Sequence, residues 1–143
     1  MKRRLAFTVA MLLICNPVLS QSYDLLTRAD SGDVFAQMML GDMFAAGEGV
    51  AQDHAEAVRW YRLAAKRGNA NAQLSLGLLY SNGLGVKQDM AIAYQWTSMA
   101  AAQGAKDAIE ARALINEQLD AETQDRAEQL VTLCLESNYT QCE

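Results

Sequence analysis

Histidine is nearly absent from this sequence and cysteine is scarce, which limits the chemistry that the chain can support. Of 143 residues, one is a histidine, His54, and three are cysteines. His54 follows Asp53, where a helix is expected to begin, and such a position favours an exposed polar residue over a general base. The lone histidine and the two cysteines near the C-terminus cannot fill a tetrahedral zinc shell.

Residue patterns typical of catalytic sites are also lacking. No serine lies in a nucleophile elbow, and no carboxylate pair has a histidine or lysine beside it. Gly-x-Gly-Val occurs at 47–50 and at 83–86, but a phosphate-binding loop also needs a preceding strand, a lysine and a third glycine. We therefore predict no catalytic, metal or cofactor site, and a protein that is not an enzyme.

Long apolar runs are absent except at the N-terminus. Lys2–Arg4 precede the apolar stretch Leu5–Ile14, and small or β-branched residues lead up to Ser20. This is the layout of a secretory signal peptide, and the apolar run is too short to span a membrane. We predict a signal peptide over residues 1–20, export, and no membrane span in the mature chain.

Two other interpretations of the N-terminus remain open. Cys15 could become a lipid-modified N-terminus, but a lipoprotein needs a small residue before the cysteine, and Ile14 is not small. A cytoplasmic helix is the other alternative, although it would be apolar on all sides.

Basic residues are a minority in the predicted mature chain, residues 21–143. Because three of the twelve Lys and Arg lie in the signal peptide, nine remain against seventeen Asp and Glu, a formal charge of −8. An acidic surface disfavours nucleic acid and anionic lipid as partners. We therefore expect a soluble domain whose partner is another protein.

Cys134 and Cys142 remain after cleavage. An even number of cysteines in an exported chain predicts a disulfide, which would stabilise the fold by about 2–3 kcal/mol. Two free thiols are the alternative.

A period of 36 residues is the strongest pattern present. Residues 36–71 and 72–107 agree at fifteen of thirty-six positions, and a period of this length indicates a stacked array. The repeated residues that we expect to define the structure pair as Gly41 and Gly77, Gly47 and Gly83, Gly49 and Gly85, Asp53 and Asp89, Trp60 and Trp96, and Gly68 and Gly104.

Each repeat is predicted to hold two helices. Gly47 and Gly83 follow an apolar helical face, where a helix ends with a residue at positive φ. Asp53 and Asp89 are suited to N-cap a second helix, and Gly68 ends it. Gly41 and Gly77 lie inside the first helices, and we expect alanine pairs such as Ala64–Ala65 to pack against them.

The repeated string, Ala-Gln-x-x-Leu-Gly-x-x-[Phe/Tyr]-x-x-Gly-x-Gly-Val-x-x-Asp followed by Ala-x-x-Trp-x-x-x-Ala-Ala-x-x-Gly, resembles the Sel-1-like repeat (SLR), a relative of the tetratricopeptide repeat (TPR). The resemblance implies an all-α fold, a short α/α solenoid of antiparallel helix pairs in a TPR-like right-handed superhelix. Residues 22–35 would form a partial repeat before the two full copies, and residues 108–143 a partial repeat with a disulfide-linked cap.

The cap is predicted from the last part of the chain. Asp120 can N-cap a helix over residues 121–136 with one apolar side. Such a helix would cover the end of the array.

The resemblance also implies that first helices line the concave side, so partner contacts are expected at positions that differ between copies. These candidates are Met39, Asp42 and Met43, then Ser75, Leu78 and Asn82. Methionines suit adaptable contacts, but for Met38 and Met43 we favour a place in the core.

A second candidate surface is a basic cluster on the second helix, formed by Arg59, Arg62, Lys66 and Arg67. It could bind an acidic patch of a partner or be a solvated helix face. Tyr61 could add an aromatic contact.

The resemblance implies a periplasmic, monomeric adaptor or scaffold of an envelope complex, or a regulator of an envelope enzyme. An immunity protein that neutralises a secreted toxin is an alternative. A β-lactam-binding or hydrolysing enzyme is a second alternative, disfavoured because the family members with that activity carry a cysteine pair in each repeat, and residues 36–107 contain no cysteine.

Overall fold

Helices alone build the part of the chain that the structure, a computed structural model, describes: the backbone of residues 17–143 and the side chains of residues 23–143. Most of the predicted signal peptide, including Cys15, lies outside the described residues. No helix in the described part is long and apolar enough to cross a membrane. The seven helices there are α1 Pro17–Asp30, α2 Val34–Ala46, α3 His54–Ala65, α4 Ala70–Asn82, α5 Met90–Ala102, α6 Lys106–Asn116 and α7 Ala121–Glu136.

The helices form consecutive pairs, α2 with α3 and α4 with α5, and α6 continues the series. We call α2, α4 and α6 the first helices, and α1, α3 and α5 the second helices. First helices contact one another along the array, α2 with α4 and α4 with α6. The arrangement confirms the predicted all-α solenoid of helix pairs.

The residues predicted to begin and end helices do so. Gly47 and Gly83 follow α2 and α4 at φ 75° and 66°, in the left-handed conformation that glycine adopts at little cost. The Asp53 side chain accepts hydrogen bonds from two backbone N–H groups at the start of α3, at 2.9 and 3.1 Å. Asp89 does the same for α5, so both repeats use the same caps.

The repeated glutamines have structural roles that the sequence left unassigned. Gln37 and Gln73 are buried, and their side-chain amides donate to the backbone oxygens of Ala29 and Ala65, at 3.0 and 3.1 Å. Both acceptors lie near the end of the preceding second helix. Because a buried amide is costly unless it is hydrogen-bonded, each glutamine fixes its repeat to the one before.

The glycines inside the first helices meet different neighbours from those expected. A Cβ at Gly41 would lie 2.5 Å from the Tyr61 ring, and one at Gly77 would lie 2.7 Å from Cγ2 of Thr97. Tyr61 and Thr97 occupy the same repeat position, directly after the tryptophan. The expected packing against Ala64–Ala65 was therefore wrong, because the side chain after the tryptophan fills this space.

The core runs along the interfaces between helices. Trp60 and Trp96 are almost fully buried, and most alanines of α3 and α5 are buried with them. Small alanine side chains let the helices come close, and the indole rings fill the remaining space.

Helix α7 is the predicted C-terminal helix, with the predicted bounds. The Asp120 side chain accepts from the backbone N–H of Thr123 at 2.8 Å. The helix lies along α5, where the side-chain amide of Gln95 donates to the backbone oxygen of Leu130 at 3.1 Å. It therefore covers a second helix, while Leu114 on α6 stays 61% exposed.

The predicted disulfide between Cys134 and Cys142 joins α7 to the segment that follows it. Both cysteines are fully buried, in the same core cluster as Trp96. The bond therefore holds the tail, residues 137–143, against the array.

The second glycine loop packs on the neighbouring repeat. At Gly85, with φ 70°, an added Cβ would lie 2.3 Å from the backbone carbonyl of His54. At Gly49, with φ 75°, the nearest atom would be the flexible Met43 Cε at 3.3 Å. The loop at Gly85 is therefore crowded by the backbone of the neighbouring repeat, whereas the equivalent loop at Gly49 meets only a flexible side chain.

We expect Gly85→Ala to destabilise the chain far more than Gly49→Ala. Both changes force an alanine into the left-handed region, at a cost of about 1 kcal/mol, but only the first adds a backbone clash, raising the total to about 3 kcal/mol. Urea unfolding followed by circular dichroism measures both. Equal losses of unfolding free energy would contradict the packing of this loop on His54.

Candidate interaction surfaces

The first-helix surface carries five predicted partner-binding residues on two neighbouring helices. Met39 and Asp42 lie on α2, and Ser75, Leu78 and Asn82 on α4. Met39 and Leu78 are each 42% exposed, Asp42 and Asn82 are exposed, and Ser75 is half-buried. Apolar and polar side chains therefore alternate on a face that other helices leave uncovered.

A groove of about 220 Å³ lies between α4 and α6. Leu78 and Asn82 form its α4 side, and Leu114, at 61% exposure, forms part of its α6 side. Leu114 was missed as a site residue, although it lies 36 positions after Leu78 in the partial third repeat. The groove widens the predicted surface, and its walls are largely apolar.

The methionines of α2 divide as predicted. Met38 and Met43 are partly buried and pack against the core clusters, whereas Met39 is exposed. Among these three methionines, only Met39 is available for contact with a partner.

Tyr61 does not belong to a surface, contrary to its suggested role as an aromatic contact. It is buried, and its hydroxyl donates to the Asp42 carboxylate at 2.7 Å. Burial and this carboxylate raise the pKa of Tyr61 far above its ordinary value. Tyr61 therefore fixes Asp42 on the first-helix surface.

The three arginines of the basic cluster, on α3 and just after its end at Ala65, have intramolecular acceptors. Arg59 pairs with Glu56 at 3.0 Å and stacks on Trp60, with the guanidinium carbon 4.0 Å from the ring centroid. Arg67 donates to the backbone oxygen of Gly32 at 2.7 Å. Glu56 is three residues before Arg59 on the same helix, whereas only folding brings Gly32 to Arg67, 35 residues away.

Arg62 is held by the tail. Its Nε and Nη2 each donate to one Glu143 carboxylate oxygen at 3.0 Å, a bidentate pair. The Tyr80 hydroxyl also donates to this carboxylate, and the Trp96 Nε1 donates to it at 3.2 Å. The Glu143 side chain is only 10% exposed. Arg62 is therefore not a free cation in the folded chain, because Glu143, 81 residues away, pairs with it.

The same contacts shift the pKa values of the donors. Hydrogen bonding to Glu143 raises the pKa of Arg62. Burial, together with the same carboxylate, raises the pKa of Tyr80 to about 12. Both groups therefore remain donors to the carboxylate at neutral pH.

His54 does not gather catalytic partners around it. It lies at the start of α3, half-buried beneath the Gly85 loop, and its Nδ1 is buried without a hydrogen-bond partner among the described residues. It is therefore less exposed than expected. Within residues 17–143 no group of three or more His, Cys, Asp or Glu side chains could hold a metal ion.

Comparison with known proteins gives a consistent result. The Sel1 repeat family matches residues 34–69 and 70–104. A Sel1 repeat protein from Oxalobacter formigenes is 30% identical, with a TM-score of 0.55 over 75% of this chain and 96% of that one. None of the curated proteins matches the chain.

A second solved structure is a protective antigen present in uropathogenic Escherichia coli strains and displaying an SLR fold. It is 30% identical, with a TM-score of 0.78 over 85% of this chain, but the chain spans only 26% of that antigen's length.

Sel1 repeats generally mediate protein–protein interaction, and their fold is typically a non-catalytic scaffold. The paired helices, the repeated glycines and the relative matched over nearly its whole length agree in one assignment. The chain belongs to the Sel1 repeat family.

Proposed function

We propose that this chain is an exported, periplasmic interaction module that binds another protein through its first-helix surface. The observation that carries the proposal is the apolar groove between α4 and α6, where Leu78 and Leu114 stay exposed in an acidic chain. Exposed apolar side chains around a groove are typical of a protein-binding surface. An adaptor of an envelope complex, a regulator of an envelope enzyme and an immunity protein would all use such a surface.

Partner contact at the groove is testable with paired leucines. Leu63 on α3 has the same 42% exposure as Leu78 but lies on a second helix. A photo-crosslinking amino acid placed at Leu78, at Leu114 or at Leu63 in the native host would identify the partner. We expect one protein to be captured at the first two positions and not at the third.

The same pair of leucines provides the affinity test. With the captured partner purified, we expect Leu78→Asp to weaken binding at least tenfold, about 1.4 kcal/mol, because a carboxylate would be desolvated in the groove. Leu63→Asp should leave the dissociation constant unchanged, and both variants should unfold at similar urea concentrations. Equal loss of affinity in the two variants would place the contact elsewhere.

Export is supported by the layout of the first twenty residues and by the Cys134–Cys142 disulfide, a bond that persists in oxidising compartments. We expect Leu13→Arg to block export, because a charge interrupts the apolar region, whereas Leu13→Ile should not. Cell fractionation and the mass of the exported chain measure this. A chain starting at Gln21 is expected, and a lipid-modified start at Cys15 would replace the predicted cleavage.

We also propose that the protein is not an enzyme. The described residues carry no metal-binding cluster, and residues 36–107 lack the cysteine pairs of the family members linked to β-lactams. Incubation with a chromogenic β-lactam should give no hydrolysis above a buffer control. Turnover that persists in the purified protein would contradict this part of the proposal.

A further inference from the structure

Three donor side chains from different helices converge on the Glu143 carboxylate, and the array itself positions them. Trp96 on α5 is fully buried, and Tyr80 on α4 is 6% exposed in the same core cluster. Arg62 on α3 donates to the Tyr80 hydroxyl at 2.7 Å, which orients its guanidinium. Contacts between the helices therefore position the donors, and Cys142 of the tail packs in the same core cluster as Tyr80 and Trp96. We call Arg62, Tyr80 and Trp96 the socket.

The repeat fold does not require polar side chains at the positions of Arg62 and Tyr80. At the equivalent positions 36 residues earlier, the chain has Leu26, Phe44 and Trp60. The Nε1 of Trp60 is buried and has no hydrogen-bond partner among the described residues. Thirty-six residues earlier, the apolar Leu26 and Phe44 thus stand in place of Arg62 and Tyr80, so the polar groups of the socket are an addition to the common scaffold.

The socket is selective for a carboxylate. It presents two guanidinium N–H groups, a hydroxyl and an indole N–H to one pair of oxygens. A carboxylate is acceptor-only and fits the fork of an arginine in two bonds. A glutamine side chain would turn its own N–H₂ group toward these donors, and a lysine would be repelled by Arg62.

The tail that fills the socket is strained. Tyr139 and Glu143 have φ values of 67° and 61°, in the left-handed region that costs free energy for side chains of this size. The disulfide between Cys134 and Cys142 keeps Glu143 near the socket and so raises its effective concentration there. Glu143 is thus a tethered occupant, which the adjacent disulfide keeps beside the socket even when its carboxylate leaves.

We propose that Arg62, Tyr80 and Trp96 form a binding site for a glutamate side chain of an acidic partner peptide, a site that the chain's own Glu143 occupies until the tail is displaced. The site lies where α3, α4 and α5 meet and is separate from the groove between α4 and α6. This proposal does not depend on partner binding at the first-helix surface.

The test uses a full-length chain in which the tail is released, Cys134→Ala/Cys142→Ala/Glu143→Ala. Two fluorescent, C-terminally amidated peptides serve as probes, Ser-Asn-Tyr-Thr-Gln-Ala-Glu and the same peptide ending in Gln. Fluorescence anisotropy gives the affinities. The released chain should bind the Glu peptide at least tenfold more tightly than the Gln peptide, and at least tenfold more tightly than the unaltered chain does.

The matched control adds Arg62→Leu to the released chain. Leucine is the residue at the equivalent position 36 residues earlier, Leu26, so this change should keep the fold. This change should abolish the preference for the Glu peptide. If the released chain keeps its helical circular dichroism but binds both peptides alike, the proposal is overturned, and so it is if the Arg62→Leu chain keeps the preference.

Loss of helix in the released chain calls for a second measurement. The Glu143→Ala chain, with its disulfide intact, is then titrated with N-acetylglutamate amide and N-acetylglutamine amide, and the NMR shift of the Trp96 indole N–H is followed. The same tenfold preference is expected there, and equal responses to the two compounds would overturn the proposal.

Discussion

Neighbouring repeats in this chain can pack closely only where no side chain stands between them. Gly85 is the clearest case, because a single added carbon would lie 2.3 Å from the backbone of His54 in the preceding repeat. Within a repeat, Gly77 permits a similarly close approach of α4 to α5, because an added Cβ there would lie 3.1 Å from the backbone oxygen of Ala93. Since a helix pair cannot bury its apolar face alone, these glycines determine whether the tryptophans become core or remain exposed.

Close contact alone would allow the repeats to slide, and polar groups fix their register. Gln37 and Gln73 reach back to the carbonyls of the preceding second helix, and an unpaired amide there would cost about 1–3 kcal/mol. The glycines therefore permit the close approach of the helices, and the buried amides select a single arrangement of the repeats. This explains why Ala-Gln recurs at the start of both full repeats.

The sequence predicted what is local or periodic. The helix ends at Gly47 and Gly83, the caps at Asp53 and Asp89 and the bounds of α7 follow from spacing and residue chemistry, and the structure confirms them. It did not predict pairings between distant residues, such as that of Arg62 with Glu143. No periodic pattern joins residues 81 positions apart, and only the folded path of the tail brings this carboxylate to α3.

Two surfaces of the array differ in what a partner must displace. At the groove of Leu78 and Leu114 a partner removes only water, and the gain comes from apolar area taken out of solvent. At the socket a partner must first displace Glu143, which the disulfide holds nearby. The apparent affinity of the partner is therefore its intrinsic affinity multiplied by the fraction of time that the socket is empty. The groove is therefore suited to continuous binding, whereas binding at the socket depends on how firmly the tail is held.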